Sequence, residues 1–152
     1  MHHPVFRALL SLLLLYAAGC GDAPDALEQL RTRTVTFPGG QEVLAEVVSD
    51  PADMARGLMF RDSLAPDRGM LFIHNAPGRY PYWMFQVRIP LDIIWLGPDR
   101  SIVEISGATP PCRTESSDCP NYGGNQDAQF VLELAGGMAA KYGLKLGDRI
   151  SF

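Results

Sequence analysis

Short apolar segments, separated by turns rich in glycine and proline, dominate the chain from about residue 34 onward. Their lengths suit strands better than helices, and the valine, isoleucine and aromatic residues that favour strands are common in them. The sequence Pro38-Gly39-Gly40-Gln41, between the first two segments, is typical of a hairpin turn. The pattern predicts strands at 34–37, 42–48, 69–73, 82–87, 91–96, 101–105, 129–134 and 148–152.

Two short helices are predicted between these strands. Asp50 is a natural N-cap, Pro51 suits the first helical position, and Gly57 can end the first helix. The second helix covers one or two turns within 137–143, and the proline-containing segment 106–128 is predicted to be a long loop. Many strands with few helices indicate an all-β fold, a compact sandwich or closed barrel, rather than parallel α/β units.

Composition limits the function classes. With 152 residues, of which 47% are hydrophobic, the chain is long enough for one compact domain and too apolar to be disordered by composition. Its 17 acidic residues exceed its 13 lysines and arginines, which gives a formal net charge of -4. Because nucleic-acid-binding domains are usually basic, we expect no nucleic acid partner.

The N-terminus has the order of a secretory signal peptide: Arg7, an apolar run at 8–16, and then small residues. This run is much shorter than the ~20 residues that a membrane-spanning helix needs. Ala17-Ala18-Gly19-Cys20 resembles the bacterial lipobox, in which the cysteine becomes the lipid-modified N-terminus. We therefore expect Cys20 to anchor the protein to a membrane. The predicted organisation is a signal peptide at 1–19, a lipid anchor and tether at 20–33, and one β-rich domain at 34–152.

The expected location is the cell envelope, at the periplasmic face of the outer membrane if the cell is diderm. The three cysteines fit an exported protein, because lipid on Cys20 would leave Cys112 and Cys119 to form a disulfide. A structural zinc site would need four nitrogen or sulfur ligands, whereas His74 is the only histidine after the predicted signal peptide. We therefore predict one disulfide, no metal site and no cofactor.

Several segments of the folded part occur in a characteristic order. They are Arg56-Gly57-Leu58-Met59-Phe60-Arg61, Gly69-Met70-Leu71-Phe72, Trp83-Met84, Ile89-Pro90-Leu91-Asp92-Ile93-Ile94, Val131-Leu132-Glu133-Leu134 with Gly136-Gly137, and Gly143-Leu144-Lys145-Leu146-Gly147-Asp148. Together they resemble the bacterial and archaeal domain of unknown function 192 (DUF192) family. The resemblance implies a small exported or membrane-anchored domain with a jelly-roll-like sandwich, and it supplies no catalytic residue. Many relatives continue Trp-Met with Lys-Asn-Thr, whereas this chain has Phe85-Gln86-Val87.

Asp92 lies within an otherwise apolar predicted strand, and a buried carboxylate needs a partner. We expect an arginine such as Arg56 or Arg61 to supply it, although backbone N–H groups could do the same. A structural role is favoured. The alternative is a hydrolytic enzyme that uses Asp92, with Glu104 as a conceivable second carboxylate.

Methionines and aromatic residues supply two further candidate sets. Dispersed spacing favours core packing of the methionines over a Cu(I) site. The methionines are Met54, Met59, Met70, Met84 and Met138. We expect Trp83 and Trp95 to be buried, and an exposed Tyr82 beside Tyr122 would form a platform for a sugar or peptide.

These features favour a non-enzymatic, lipid-anchored envelope domain that binds a small ligand, a glycan or an envelope protein. The predicted groove is bordered by the Arg56 segment, Trp83-Met84 and the loop between the two paired cysteines. Its candidate binding residues are Arg56, Met59, Trp83, Met84, Asp92 and Tyr122. The hydrolytic enzyme and the copper-binding protein remain the alternatives.

Overall fold

The computed structural model describes residues 31–152. The predicted signal peptide, the predicted lipidation of Cys20 and most of the predicted tether lie outside these residues. The strands are β1 (Thr32–Thr36), β2 (Glu42–Val48), β3 (Arg68–Gly78), β4 (Tyr82–Trp83), β5 (Leu91–Leu96), β6 (Ile102–Thr109), β7 (Asn121–Tyr122) and β8 (Ala128–Ala135). The helices are α1 (Pro51–Arg56) and α2 (Met138–Lys141), and a 3-10 turn covers Ser116–Asp118.

Six strands form one mixed sheet in the order β1-β2-β3-β8-β5-β6, and β4 pairs with β7 in a separate ribbon. β2 and β3 run parallel, whereas the other neighbouring strands are antiparallel. α1 lies in the connection between β2 and β3, because parallel strands need a crossover rather than a hairpin. The predicted mainly β domain with two short helices is confirmed. The sheet does not close into a barrel, and its layered packing is compatible with the sandwich alternative.

Both faces of the central strands are buried. Along β5, Ile93 and Trp95 belong to one apolar cluster, whereas Ile94 and Leu96 belong to another, because successive side chains point to opposite faces. We call these faces the α1 face, where Met54 of α1 packs, and the α2 face, where Met138 of α2 packs. Burial on both faces explains why β5 has a nearly continuous apolar sequence.

The local signals for α1 are confirmed. Asp50 caps the helix, because its side chain accepts hydrogen bonds from the backbone N–H groups of Ala52 and Asp53. Pro51 takes the first helical position, and Gly57 ends the helix with a φ of 46°. The predicted disulfide is also present, with a distance of 5.7 Å between the Cα atoms of the two cysteines.

Several predicted strands differ in the structure: β3 extends to Gly78 and β6 to Thr109, and the segment predicted as a loop also contains β7. The strand predicted at 82–87 ends at Trp83, because the Val87 N–H donates to the Met84 carbonyl at 3.2 Å and the chain turns there. The strand predicted at 148–152 is wrong, since this segment forms only isolated bridges within the described part of the chain. From residue 31 onward, no helix is long and apolar enough to cross a membrane.

Candidate functional site

A cleft of about 710 Å³ opens on the α1 face of the domain. Its walls are the segment after α1, the turn after β4, and the start of the loop between Cys112 and Cys119, which we call the disulfide loop. The lining residues are Phe60, Asp62, Phe85, Gln86, Val87, Arg88, Cys112, Arg113, Thr114 and Glu115. The volume falls within the roughly 300–1,000 Å³ typical of small-molecule sites. We call this space the disulfide-side cleft.

Two lining residues of the cleft adopt a left-handed backbone conformation. Phe60 has a φ of 66° and Gln86 has a φ of 57°. The Phe60 N–H donates to the Gln86 carbonyl at 2.9 Å, so the two strained positions are joined directly. Residues other than glycine in this region cost about 1 kcal/mol or more each, and such residues cluster at ligand sites. Two walls of the cleft are therefore held together at an energetic cost.

The disulfide loop forms the third wall and is attached to the turn after β4. The Cys112 N–H donates to the Met84 carbonyl at 3.1 Å, and Phe85 forms a parallel bridge with Cys112. The disulfide with Cys119 then closes the loop from its other end. As a result, Arg113 and Glu115 are exposed at the rim of the cleft on a fixed backbone.

Exposed aromatic rings and charges of both signs lie around the cleft. Phe60 is 52% exposed, and the Arg88 guanidinium lies 5.9 Å from the centre of its ring. Arg88 also donates to the Asp62 carboxylate at 2.8 Å. Trp83 is 39% exposed, and its ring centre lies 5.3 Å from that of Phe85. The surface can therefore stack against an apolar ligand face and hydrogen-bond to polar groups.

A much smaller cavity of about 30 Å³ lies on the same face. α1 and the residues after it form one side, and β3, β4 and β8 form the others. Its lining residues are Met54, Ala55, Arg56, Gly57, Leu58, Met59, Phe72, Tyr82, Trp83, Val87 and Glu133. We call this space the Glu133 cavity.

Glu133 has an unusual environment for a carboxyl group. It is 5% exposed, and its Oε2 has no hydrogen-bond partner among residues 31–152. Burial raises the pKa of Glu133 to about 8, although the nearby Arg61 guanidinium acts in the opposite direction. Arg61 is itself held by Glu46, to which it donates two hydrogen bonds, one of them at 2.7 Å. At neutral pH Glu133 is therefore mostly protonated.

The structure brings three of the six predicted groove residues together. Arg56, Met59 and Trp83 line the Glu133 cavity. Met84 is fully buried beneath this surface. Tyr122 lies opposite Tyr82 in the ribbon, and both are partly buried rather than exposed as a platform. The sixth residue, Asp92, lies elsewhere.

Asp92 points to the α2 face, where backbone N–H groups surround it. Its Oδ1 accepts from Ala108 at 2.6 Å and from Gly137 at 2.9 Å, and its Oδ2 accepts from Ala139 at 2.6 Å. The expected arginine partner is therefore wrong, and the backbone alternative is correct. These bonds connect β5 to the end of β6 and to the start of α2, which is a structural role.

The two alternative chemistries gain no geometric support. Glu104 accepts hydrogen bonds from the backbone and side chain of Asn125, so it has partners different from those of Asp92. No group of three or more His, Cys, Asp or Glu residues within the described range could hold a metal ion. Met54, Met59, Met70 and Met84 pack within the α1-face core, whereas Met138 packs on the opposite face.

The sequence did not reveal Glu133 as a candidate site residue, and the burial predicted for Trp83 differs from the structure. Glu133 stands between apolar residues in β8, a pattern typical of a polar residue that faces solvent. Only the burial of β8 on both faces shows that this carboxyl is inside. Trp95 is fully buried as expected, whereas the expected burial of Trp83 is wrong, because the chain turns directly after β4 and leaves the indole at the surface.

Comparisons with known proteins give a family and a fold. The family DUF192, described as "Uncharacterized ACR", matches residues 34–152. The crystal structure of a protein of unknown function from Novosphingobium aromaticivorans is 35% identical, with a TM-score of 0.69, over 80% of this chain and 84% of that one. A proposed transcription regulator from Sinorhizobium meliloti is 28% identical, with a TM-score of 0.69, over 78% of this chain and 89% of that one. No curated protein matches the sequence.

Four of the segments that carry the family resemblance contribute to the Glu133 cavity or lie directly beside its lining residues. The segment 56–61 lines one side of the cavity beside α1. The segments 69–72, 83–84 and 131–134 supply Phe72, Trp83 and Glu133. These segments are far apart in sequence and meet only in the folded domain. The cavity is therefore built mainly from the parts of the chain that resemble the family.

Proposed function

The chain belongs to the DUF192 family, and we propose that it is a non-catalytic, lipid-anchored binding module that holds a glycan or similar small ligand in the disulfide-side cleft. The observation that carries this proposal is the pair of left-handed residues, Phe60 and Gln86, that line the cleft and hydrogen-bond to each other. A left-handed backbone at these two joined positions lowers the stability of the fold. A requirement on the shape of the cleft accounts for this strain better than core packing does.

A saccharide matches the chemistry of the cleft. The exposed ring of Phe60 and the partly buried ring of Phe85 offer flat apolar surfaces to the C–H face of a sugar. Arg88 and Arg113 offer hydrogen-bond donors, while Asp62 and Glu115 offer acceptors for hydroxyl groups. Both charge signs occur at the rim, which favours a neutral polar ligand over a polyanion. With a net charge of -4, the chain gives no reason to extend the neighbour's proposed role in transcription to this protein.

A location in the cell envelope, which is part of the same proposal, would suit a glycan ligand. A signal peptide with lipid on Cys20 would place the domain beside envelope glycans, and the disulfide suits an oxidising compartment. The tether would leave the cleft free to contact ligands near the membrane. This localisation is part of the proposal and rests on the sequence of residues 1–20.

The proposal is tested by calorimetry on the full chain, purified in mild detergent, with N-acetylglucosamine oligomers and neutral hexose oligomers as probes. We expect saturable binding of at least one oligomer. Phe60→Ala should weaken this binding about fivefold, because a lost stacking contact is worth about 1 kcal/mol.

Leu146→Ala is the matched control. Leu146 is 66% exposed and lines a different surface, so its truncation removes a similar exposed apolar side chain without touching the cleft. Equal losses in the two variants, or no saturable binding of any oligomer, would overturn the proposal. Capture of an envelope protein through the same residues would replace the glycan with a protein partner.

A further inference from the structure

The Glu133 cavity combines one acidic group with an otherwise mainly apolar lining. The rings of Phe72, Tyr82 and Trp83 form part of its wall, and the thioethers of Met54 and Met59 form another part. Trp83 is also 39% exposed, so the cavity borders the surface. This lining differs from the polar rim of the disulfide-side cleft, with which the cavity shares only Val87 among the lining residues.

We propose that the Glu133 cavity binds the ammonium group of a primary amine, with the Glu133 carboxylate as its counter-ion. The proposal is independent of glycan binding in the disulfide-side cleft. It rests on the unpartnered, buried Oε2 of Glu133 and on the aromatic rings that surround it.

The size and the walls of the cavity both fit this group. A space of about 30 Å³ accommodates one or two small groups, since a single water needs roughly 10–15 Å³. Aromatic faces attract cations, and tryptophan does so most strongly. An ammonium group would donate a hydrogen bond to Oε2, while the carbon chain of the amine would leave past Trp83.

Arg61 and Arg56, the two described cations that act on Glu133 or line its cavity, do not fill this role. The Arg61 guanidinium acts on Glu133 through its charge, but it already donates two hydrogen bonds to the Glu46 carboxylate. Arg56 lines the cavity from the exposed last turn of α1, and it forms no ion pair with Glu133 among the described residues. The Tyr82 hydroxyl shares a hydrogen bond with the ring of His74 at 3.2 Å. Within residues 31–152, neither of these two arginines is ion-paired with Glu133, so an ammonium group from a ligand can take the place of its positive partner.

Binding of the amine would exchange one cation for one proton. Without ligand, Glu133 carries a proton at neutral pH because burial raises its pKa to about 8. When the ammonium ion enters, this proton leaves to solvent, and the cavity stays neutral before and after. The other charged or titratable groups that face Glu133 are Arg61, Arg56 and Tyr82, and burial raises the pKa of Tyr82 as well. The pKa values of Arg61 and Tyr82 are both raised, so neither group changes charge near neutral pH and a single proton should be released.

The test uses methylammonium chloride as the probe, with the full chain in mild detergent and methionine methyl signals followed by NMR. We expect saturable shifts of the Met54 and Met59 methyl signals and of the Trp83 indole signal, at the millimolar affinity that a ligand of two heavy atoms permits. The affinity should rise about tenfold per pH unit below about pH 7 and level off as the pH passes about 8, because one proton is released. Tetramethylammonium, which exceeds the cavity, and potassium chloride should cause no such shifts.

Glu133→Gln keeps the shape of the side chain and removes the carboxylate, so it should abolish the methylammonium shifts. Glu42→Gln removes an equal charge from an exposed position on β2 and is the matched control. Shifts that persist in Glu133→Gln, shifts without pH dependence in the unaltered protein, or an equal response to potassium chloride would overturn the proposal. Because the pH dependence is measured on the unaltered protein, the test does not depend on the folding of a variant.

Two further probes identify the source of the amine. Nα-acetyl-lysine amide presents the side chain of a partner's lysine, whereas ethanolamine and cadaverine represent free amines. Tighter binding of one class than of methylammonium assigns the natural ligand to that class. Failure of all three alongside methylammonium contradicts the site altogether.

Discussion

Glu133→Gln should change how the stability of the domain depends on pH. In the folded protein, burial raises the pKa of Glu133 from 4.5 to about 8, whereas in the unfolded chain the group returns to its ordinary value. Between these two pH values the folded state holds one proton more than the unfolded state. The stability associated with the buried neutral acid is therefore complete below about pH 4.5 and is lost as the pH rises to about 8.

The magnitude follows from this shift. One pKa unit corresponds to about 1.4 kcal/mol, so a shift of about 3.5 units would remove on the order of 5 kcal/mol across the whole range. His74 also affects stability at the acidic end of this pH range. Burial lowers the pKa of His74, so its contribution to the stability of the folded state is lost as the pH falls through that lowered pKa. The window from about pH 6.5 to about pH 8 is dominated by Glu133, and across it we expect a loss of about 2 kcal/mol.

Urea denaturation, followed by circular dichroism at several pH values in this window, measures the effect. The unaltered protein should lose stability as the pH rises, whereas Glu133→Gln should show a nearly flat profile, because an amide does not ionise. Glu42→Gln, with its exposed side chain, should keep the slope of the unaltered protein. If Glu133→Gln and the unaltered protein show the same slope, the Glu133 carboxyl does not titrate with a raised pKa.

Three further predictions concern other parts of the molecule. Asp92→Asn should lower the free energy of urea unfolding by about 1–3 kcal/mol, because an amide cannot accept all three backbone N–H groups; exposed Asp127→Asn is the control, and equal stability would refute the role of the backbone donors. Replacing Cys112 and Cys119 by serine should cost about 2–3 kcal/mol while leaving the β spectrum intact by circular dichroism, since the closed loop is short; collapse of that spectrum would contradict a local staple. Cys20→Ala should release the protein from membranes in cell fractionation, because stable anchoring needs acyl chains; unchanged membrane association would remove the lipid anchor from the proposal.

The elements that the sequence predicts well are those with strong local chemistry. The strand at 91–96 agrees with β5 at both ends, and that at 42–48 agrees with β2, because glycine, proline and acidic residues flank them. Asp50 and Gly57 mark the ends of α1 for the same local reason. By contrast, the parallel pairing of β2 with β3 depends on how the crossover packs, and no local pattern encodes that choice.

The candidate site was harder to predict than the strands, because it depends on which faces of those strands the rest of the domain covers. Alternation correctly places Trp83 and Met84 on opposite sides of their segment, but it does not say which side is buried. The structure shows that Met84 lies inside and Trp83 partly outside. Phe60 and Gln86 carry no sequence signal for a left-handed backbone, since glycine or asparagine would be the usual choice there.

Asp92 and Glu133 provide an internal comparison of two buried acids. They lie on adjacent strands, where Ile93 pairs with Glu133, yet they point to opposite faces of the sheet. Asp92 receives three backbone N–H groups, so its role is complete within the fold. Glu133 has an Oε2 without a partner in the described part of the chain, at a position where an apolar side chain would pack without a desolvation cost. Interactions within the fold therefore account for the carboxyl group of Asp92 but not for that of Glu133. A ligand that pairs with Glu133 would account for a carboxyl group at this position.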